Sequence, residues 1–244
     1  MDAVLLFSGQ GAQKVGMGKD LYDQYPVAKA LIEQADKALG ESLSAVMFEG
    51  PGEELTRTCN CQPALYVHGL ACLAVLKELV PSLNPVAAAG LSLGEFTAHA
   101  AAGTYSFEEG LRLVQKRGAF MEEACNATKG TMAAMIGGTD ENVIKLAQEC
   151  DVDVANFNCP GQTVVSGTEE GVAKAVAGAK AAGCKIAKKL NVAGAYHSRL
   201  MHSAMVKLAE ELKNISFGTP SMPVYCNYEA RVVEGPDDIR SMLE

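Results

Sequence analysis

The chain has 244 residues, 48% of them apolar, with 21 basic and 29 acidic side chains and a formal net charge of −8. That apolar share excludes a disordered chain, and the acidic balance excludes a duplex nucleic-acid binder, which needs a basic footprint for the phosphates; a local basic patch stays open. The longest nearly uncharged run, residues 85–104, carries Glu95, His99 and several glycines and does not read as a membrane span, and the apolar run at 3–7 is too short for a signal-peptide core, so a cytoplasmic location is expected.

Residues 3–7 read as a buried strand entering the glycine loop Ser8-Gly9-Gln10-Gly11. Residues 27–39 and 63–80 carry helical spacing, and the second is apolar almost all round (Leu65, Leu70, Leu73, Leu76), which predicts a helix deep in the core. Residues 85–91 read as a second buried strand, followed by the turn Gly90-Leu91-Ser92-Leu93-Gly94, a helix over 95–102 and another over 107–125 with Leu111, Val114 and Phe120 inward. From Thr131 the order becomes strand 132–136, helix 140–149, strand 152–157, strand 163–166, helix 169–182 and strand 185–190, with Asn158-Cys159-Pro160-Gly161 as a turn between the middle strands. This β-α-β-β-α-β order is that of a ferredoxin-like split βαβ unit. A helix over 198–212, a strand over 224–227 and a helix from 236 close the chain. The reading is an α/β protein whose large domain comprises residues 1–127 and 194–244, with the ferredoxin-like subdomain over 128–193 inserted between them.

Eight cysteines without a Cys-x-x-Cys give neither a disulfide framework nor a zinc knuckle; Cys59 and Cys61 are the closest pair, and buried reduced thiols are expected. No His, Cys or carboxylate cluster has ligand spacing, so neither a metal nor a tightly bound cofactor is expected.

The chemistry concentrates at Gly90-Leu91-Ser92-Leu93-Gly94, a G-x-S-x-G between a predicted strand and a predicted helix. A sharp turn there exposes Ser92 as a nucleophile, and the helix N-terminus supplies N–H groups where an oxyanion would form. The base must be one of His68, His99, His197 and His202. His99 lies two turns from Ser92, about 10 Å of axial rise and beyond hydrogen-bond reach. His68 sits in the apolar helix and reads as a core histidine. His197, in the loop after the last strand of the inserted block, is preferred over His202, a turn and a half into the next helix, although position alone does not decide between them.

Gly9-Gln10-Gly11 begins like a dinucleotide loop, but Lys14 occupies the third glycine position; Gly18-Lys19 resembles the end of a P-loop, but Asp20 replaces the hydroxyl residue and Gln13 the leading glycine. Gln10 fits better as a backbone N–H completing an oxyanion hole opposite Leu93. Arg117 reads on spacing alone as a surface residue; in a pocket it would hold a carboxylate through two parallel hydrogen bonds.

Together these features resemble the malonyl-CoA:acyl-carrier-protein transacylase family. The matching segments are Phe7-Ser8-Gly9-Gln10-Gly11-Ala12-Gln13, the serine turn with Glu95, Arg117-Gly118-Ala119-Phe120-Met121, Asn156-Phe157-Asn158-Cys159-Pro160-Gly161-Gln162 and Gly194-Ala195-Tyr196-His197-Ser198, in the family's order over essentially the whole chain. The resemblance implies a hydrolase-like α/β large domain with the ferredoxin-like insertion. It also implies transfer of malonyl from malonyl-CoA to the phosphopantetheine thiol of acyl carrier protein in fatty-acid synthesis. Ser92 would be the nucleophile, His197 the base and then the acid, Gln10 and Leu93 the oxyanion donors, and Arg117 the clasp for the malonyl carboxylate. Asn158, Gln162, Tyr196 and Met121 match positions near the family's substrate site, and an aromatic residue before His197 favours malonyl over methylmalonyl.

Two departures accompany it. Leu91 stands where the family usually has histidine, and family members run on for several tens of residues past the point matching Glu244, a portion that normally orients the catalytic histidine; the chain reads as C-terminally truncated. The acidic carrier protein would meet local positive charge at Lys185, Lys188 and Lys189, with Lys180 nearby, unless those lysines only protect an edge strand. A monomer is expected. The competing readings are the acyltransferase portion of a polyketide synthase, a serine thioesterase-type hydrolase, and an inactive carrier-protein-binding module.

Overall fold

The computed structural model describes residues 1–244. In chain order the elements are β1 (Asp2–Phe7), α1 (Lys19–Gln24), α2 (Pro26–Leu39), α3 (Leu43–Glu49), α4 (Gly52–Thr56), α5 (Thr58–Leu79), β2 (Asn84–Gly90), α6 (Leu93–Ala101) and α7 (Phe107–Ala127). There follow β3 (Gly130–Ile136), α8 (Asp140–Glu149), β4 (Asp153–Cys159), β5 (Gln162–Thr168), α9 (Glu169–Gly178), β6 (Ile186–Lys189), a 3-10 turn (Arg199–Met201), α10 (His202–Leu212), β7 (Val224–Tyr225) and α11 (Pro236–Leu243). The chain divides into two units, Met1–Ala119 with Leu208–Glu244, and Phe120–Lys207.

The first unit is built on a parallel sheet of order β1-β2-β7. Parallel neighbours need long crossovers, and α1 to α5 form the one between β1 and β2. α5 is the central helix: Cys61, Ala64, Tyr66, Val67 and Ala71 are fully buried, with α2 and α6 packed against it. By length and composition α5 could cross a membrane, but more than half of its apolar stretch is buried in the fold. Its last turn differs from expectation, because Leu76 and Leu79 project into solvent beyond the packed neighbours. Leu5, Ala88 and Val224 share the buried face of the sheet, whereas Val4, Leu6 and Tyr225 share the other, and Leu6 is 78% exposed there. Parallel sheets ordinarily bury both faces; this one leaves an apolar face open.

The second unit carries an antiparallel sheet of order β4-β5-β3-β6, the strand order of the ferredoxin-like unit. α8 and α9 begin at Thr139 and Thr168, whose hydroxyls accept from Asn142 and Gly171 N–H, and acidic residues fill both first turns. Met135, Val143, Leu146, Val165 and Val172 form the core beneath these helices. On the sheet's other side Met132 and Val164 pack with Met121, Ala124, Tyr196 and Met201.

Several sequence expectations need correction. The short helices α1, α3 and α4 were not foreseen, since five to seven residues are too few to show a period. α9 stops at Gly178, and the segment after Ser198 opens with a 3-10 turn, so that His202 is the exposed first residue of α10 rather than one well inside a helix. All eight cysteines are free, but only Cys61, Cys184 and Cys226 are buried; Cys72 and Cys159 are exposed, each on the outer side of its element.

Candidate active site

β2 ends at Gly90 and α6 begins at Leu93, so Ser92 occupies the reversal between strand and helix with φ 50° and ψ −105°. A positive φ on a non-glycine residue costs of order 1–3 kcal/mol and must be held by its surroundings. The flanking glycines make the turn possible. A Cβ on Gly90 would lie 2.0 Å from the Gly94 carbonyl carbon, and one on Gly94 would lie 2.2 Å from Phe7 O. A Cβ on Gly9 would likewise come within 2.5 Å of Leu91 O, so the loop carrying Gln10 lies against the serine turn. Leu91 N–H donates to Phe7 O at 3.2 Å, tying the end of β1 to the same turn.

Arg117, on α7, is buried and donates from Nη2 to Ser92 Oγ at 3.0 Å and from Nη1 to Gln62 Oε1 at 2.8 Å. Its guanidinium also lies over the Phe96 ring, 5.1 Å from the centroid. Gly118 permits this reach, since a Cβ there would meet Thr58 O at 2.5 Å and push α7 away from α5. Burial lowers the Arg117 pKa to about 10, with Glu95 pulling it back, so the group stays cationic at neutral pH. The surface reading of Arg117 is thereby corrected: the apolar face of α7 carries it inward, and its head finds partners there.

Glu95, in the first turn of α6, is 3% exposed. Burial pushes its carboxyl up to about 7, against the lowering pull of the Asn227 N–H and of Arg117. Oε2 accepts from Asn227 N–H at 2.9 Å, while Oε1 is buried without a hydrogen-bond partner. Asn227 in turn accepts from Ser92 N–H through Oδ1 at 2.7 Å.

In the second unit His197 also has a positive φ, 55°, in an exposed position. The loop around it is fixed locally: Ser198 Oγ donates to Ala195 O at 2.7 Å and accepts from Leu200 N–H at 3.2 Å. Gly194 is required because a Cβ would strike Cys125 Sγ at 2.2 Å. Tyr196 and Met121 meet in the buried cluster described above. Asn158 Nδ2 donates to Gln162 Oε1 at 3.1 Å across the β4–β5 hairpin.

Of the other histidines, His99 and His68 lie against the fold, whereas His202 is exposed at the start of α10. His99 is completely buried beside Thr104, and burial lowers its pKa to about 4, leaving a neutral ring in the core. His68 is half-buried next to Cys72. No group of three or more His, Cys, Asp or Glu side chains is arranged to hold a metal ion.

Gln62 and Asn227 were not singled out in the sequence. Gln62 left little signal, since it precedes the apolar run at 63–80 and shares the first turns of α5 with Asn60; once buried, its amide must find a partner. Asn227 left none, for it meets Ser92 across 135 residues.

The acyl transferase domain family matches residues 4–238. The malonyl CoA-acyl carrier protein transacylase of Bacillus subtilis is 44% identical over 243 residues, which are 98% of this chain and 76% of that protein. Among solved structures, the FabD transacylase of Coxiella burnetii superposes with a TM-score of 0.94 at 36% identity, over 98% of this chain and 77% of that one. A malonyl-transacylase solved with its type II polyketide acyl-carrier protein superposes at 0.93 and 37% identity, over 98% of this chain and 79% of that one.

Proposed function

Because the chain belongs to the malonyl-CoA:acyl-carrier-protein transacylase family of acyl transferases, we propose that Ser92 carries the malonyl group between two thiols. The chain is an acyltransferase that takes malonyl from malonyl-CoA and delivers it to acyl carrier protein. In the first half-reaction Ser92 Oγ adds to the thioester carbonyl while its proton passes to His197. The tetrahedral oxyanion takes the Leu93 and Gln10 N–H groups; collapse breaks the C–S bond, and coenzyme A leaves with the proton from His197. In the second half-reaction the phosphopantetheine thiol gives its proton to His197 and attacks the malonyl-serine, and Ser92 recovers its proton as malonyl-thioester departs.

The observation that carries this reading is Arg117. A buried cation whose Nη2 lies 3.0 Å from the nucleophile offers a carboxylate two parallel charge-assisted bonds beside the acyl carbon that Ser92 attacks. A neutral acyl group leaves that cation unanswered. The strained backbone at both Ser92 and His197 supports their assignment to the chemistry, since such residues cluster where geometry is functional. Asn158, Gln162, Tyr196 and Met121 are assigned to the walls of the substrate site, with Tyr196 favouring malonyl over a branched homologue.

Lys188 and Lys189 lie exposed on β6, an edge strand of its sheet, with Lys185 exposed just before it, and the three are proposed as the carrier-protein docking patch. A monomeric, cytoplasmic enzyme of fatty-acid synthesis completes the reading. Polyketide synthesis is the second reading, supported by the structural likeness to a transacylase solved with a polyketide carrier protein.

The test is intact-mass measurement after brief mixing with malonyl-CoA, beside acetyl-CoA and a Ser92→Ala variant. A malonyl adduct that needs Ser92 and is discharged by holo carrier protein is expected. No adduct on the folded chain, nor on one extended by the portion that family members carry past the point matching Glu244, overturns the assignment of Ser92. Comparing fatty-acid and polyketide carrier proteins as acceptors separates the two pathways.

A further inference from the structure

Gly94 N–H holds the carbonyl side of the Leu91–Ser92 peptide through Leu91 O at 2.8 Å, but a backbone at φ 50° also needs a bond on the N–H side of that peptide. That bond comes from the loop after β7, where Asn227 Oδ1 accepts from Ser92 N–H at 2.7 Å. Asn227 is itself anchored at its main chain, whose N–H donates to Glu95 Oε2 at 2.9 Å. Cys226 before it is buried, and its N–H donates to Arg231 O at 2.8 Å. Glu95 stands three residues after Ser92 in the first turn of α6, so the bonds close a ring from the serine peptide through Asn227 and Glu95 back to the serine's own helix.

We propose that Asn227, anchored by Glu95, is a positioning residue that fixes the Ser92 turn and sorts its N–H donors. The proposal rests on the reading of Ser92 as the acylated nucleophile. Gly94 N–H is taken by Leu91 O and Glu95 N–H by Ser92 O. With Ser92 N–H taken by Asn227, the Leu93 N–H is the donor at this turn left for the oxyanion. Remove the Asn227 acceptor and two things follow. The Ser92 peptide turns toward less strained dihedrals, carrying Oγ with it, and its N–H competes with Leu93 for the developing charge in the wrong direction. A displacement of about 1 Å at a reacting atom costs on the order of a hundredfold. Folding should suffer little, because Asn227 is exposed and water can serve the released groups.

The experiment compares the 244-residue chain with its Asn227→Ala and Asn227→Asp variants, following malonyl labelling of Ser92 by rapid quench and amide exchange at Ser92. Asn227→Ala should slow acylation about 10- to 100-fold, leave the half-saturating malonyl-CoA concentration within about twofold, and speed exchange of the Ser92 amide. Asn227→Asp, which keeps an Oδ acceptor, should recover the rate to within about fivefold and restore slow exchange. Wild-type labelling with an unchanged rate in Asn227→Ala overturns the proposal alone. Equal losses in Ala and Asp, with half-saturation raised alike, also overturn it, since loss of loop structure would do that. A wild-type chain that takes no label at Ser92 overturns the underlying reading and this proposal with it.

Discussion

Arg117→Ala tests acyl selection most directly, because the guanidinium is both the proposed carboxylate clasp and a neighbour of the nucleophile. In the free chain its Nη1 serves Gln62 and its Nη2 serves Ser92. A malonyl carboxylate held by two charge-assisted hydrogen bonds gains about 1.5–3 kcal/mol from each. Truncation therefore removes about 3–6 kcal/mol, a fall of roughly 10²- to 10⁴-fold in kcat/KM for malonyl-CoA. Acetyl-CoA offers no carboxylate and should lose about tenfold at most, the worth of the single hydrogen bond from Arg117 to Ser92 Oγ. The change also removes the hydrogen bond from Arg117 to the buried Gln62 Oε1, at about 1.5–3 kcal/mol for a bond with a charged partner, or roughly 3–12 °C in Tm for a chain of this size. Ser92 acylation by each thioester should accordingly be measured by rapid quench well below the variant's Tm. If both substrates lose the same factor, the guanidinium does not select the acyl group and the reasoning fails.

Glu95 carries a pH signature. Its folded pKa of about 7 lies above its usual value, so the native state holds more protons than the unfolded state between roughly pH 4.5 and 7. Its contribution is then fully present below the unfolded pKa and is lost as pH rises through 7, up to about 3 kcal/mol. Glu95→Gln should flatten that decline, so that the variant gains on the wild type as pH rises from about 4.5 to 7 in urea melts; parallel pH profiles would count against a buried, protonatable Glu95. Reversing charge with Lys188→Glu and Lys189→Glu should raise KM for carrier protein about three- to tenfold, mostly through association, while leaving Ser92 acylation by malonyl-CoA intact. An unchanged KM would return these lysines to edge protection, a role consistent with Lys189 lying 3.7 Å from Glu169.

The parts of the fold that were legible in the sequence are those with local causes. A strand, a glycine-framed turn and a helix announce Ser92, because each glycine fills a space where a Cβ would strike backbone. The alternating blocks after Thr131 announce the ferredoxin-like sheet through period and turn chemistry. What was not legible depends on distant meetings. Arg117 looks like any helix-surface arginine until α7 is laid against α5 at Gly118, and Asn227 has no neighbour in sequence to advertise that it holds the serine peptide. Leu76 misled because an apolar helix was assumed to stay covered along its whole length, whereas its last turn outruns the layer that buries it.

The open face of the parallel sheet has a colloidal consequence. Val4, Leu6 and Tyr225 present apolar surface to water on a chain of 244 residues with a net charge of −8, which sets copies of it against one another. That repulsion reaches only about 8 Å at physiological ionic strength and about 3 Å at 1 M salt, while sulfate and phosphate strengthen apolar association. Low salt is therefore the dispersing condition for a chain of these 244 residues, and each increment of salt trades mutual repulsion for adhesion between exposed strands.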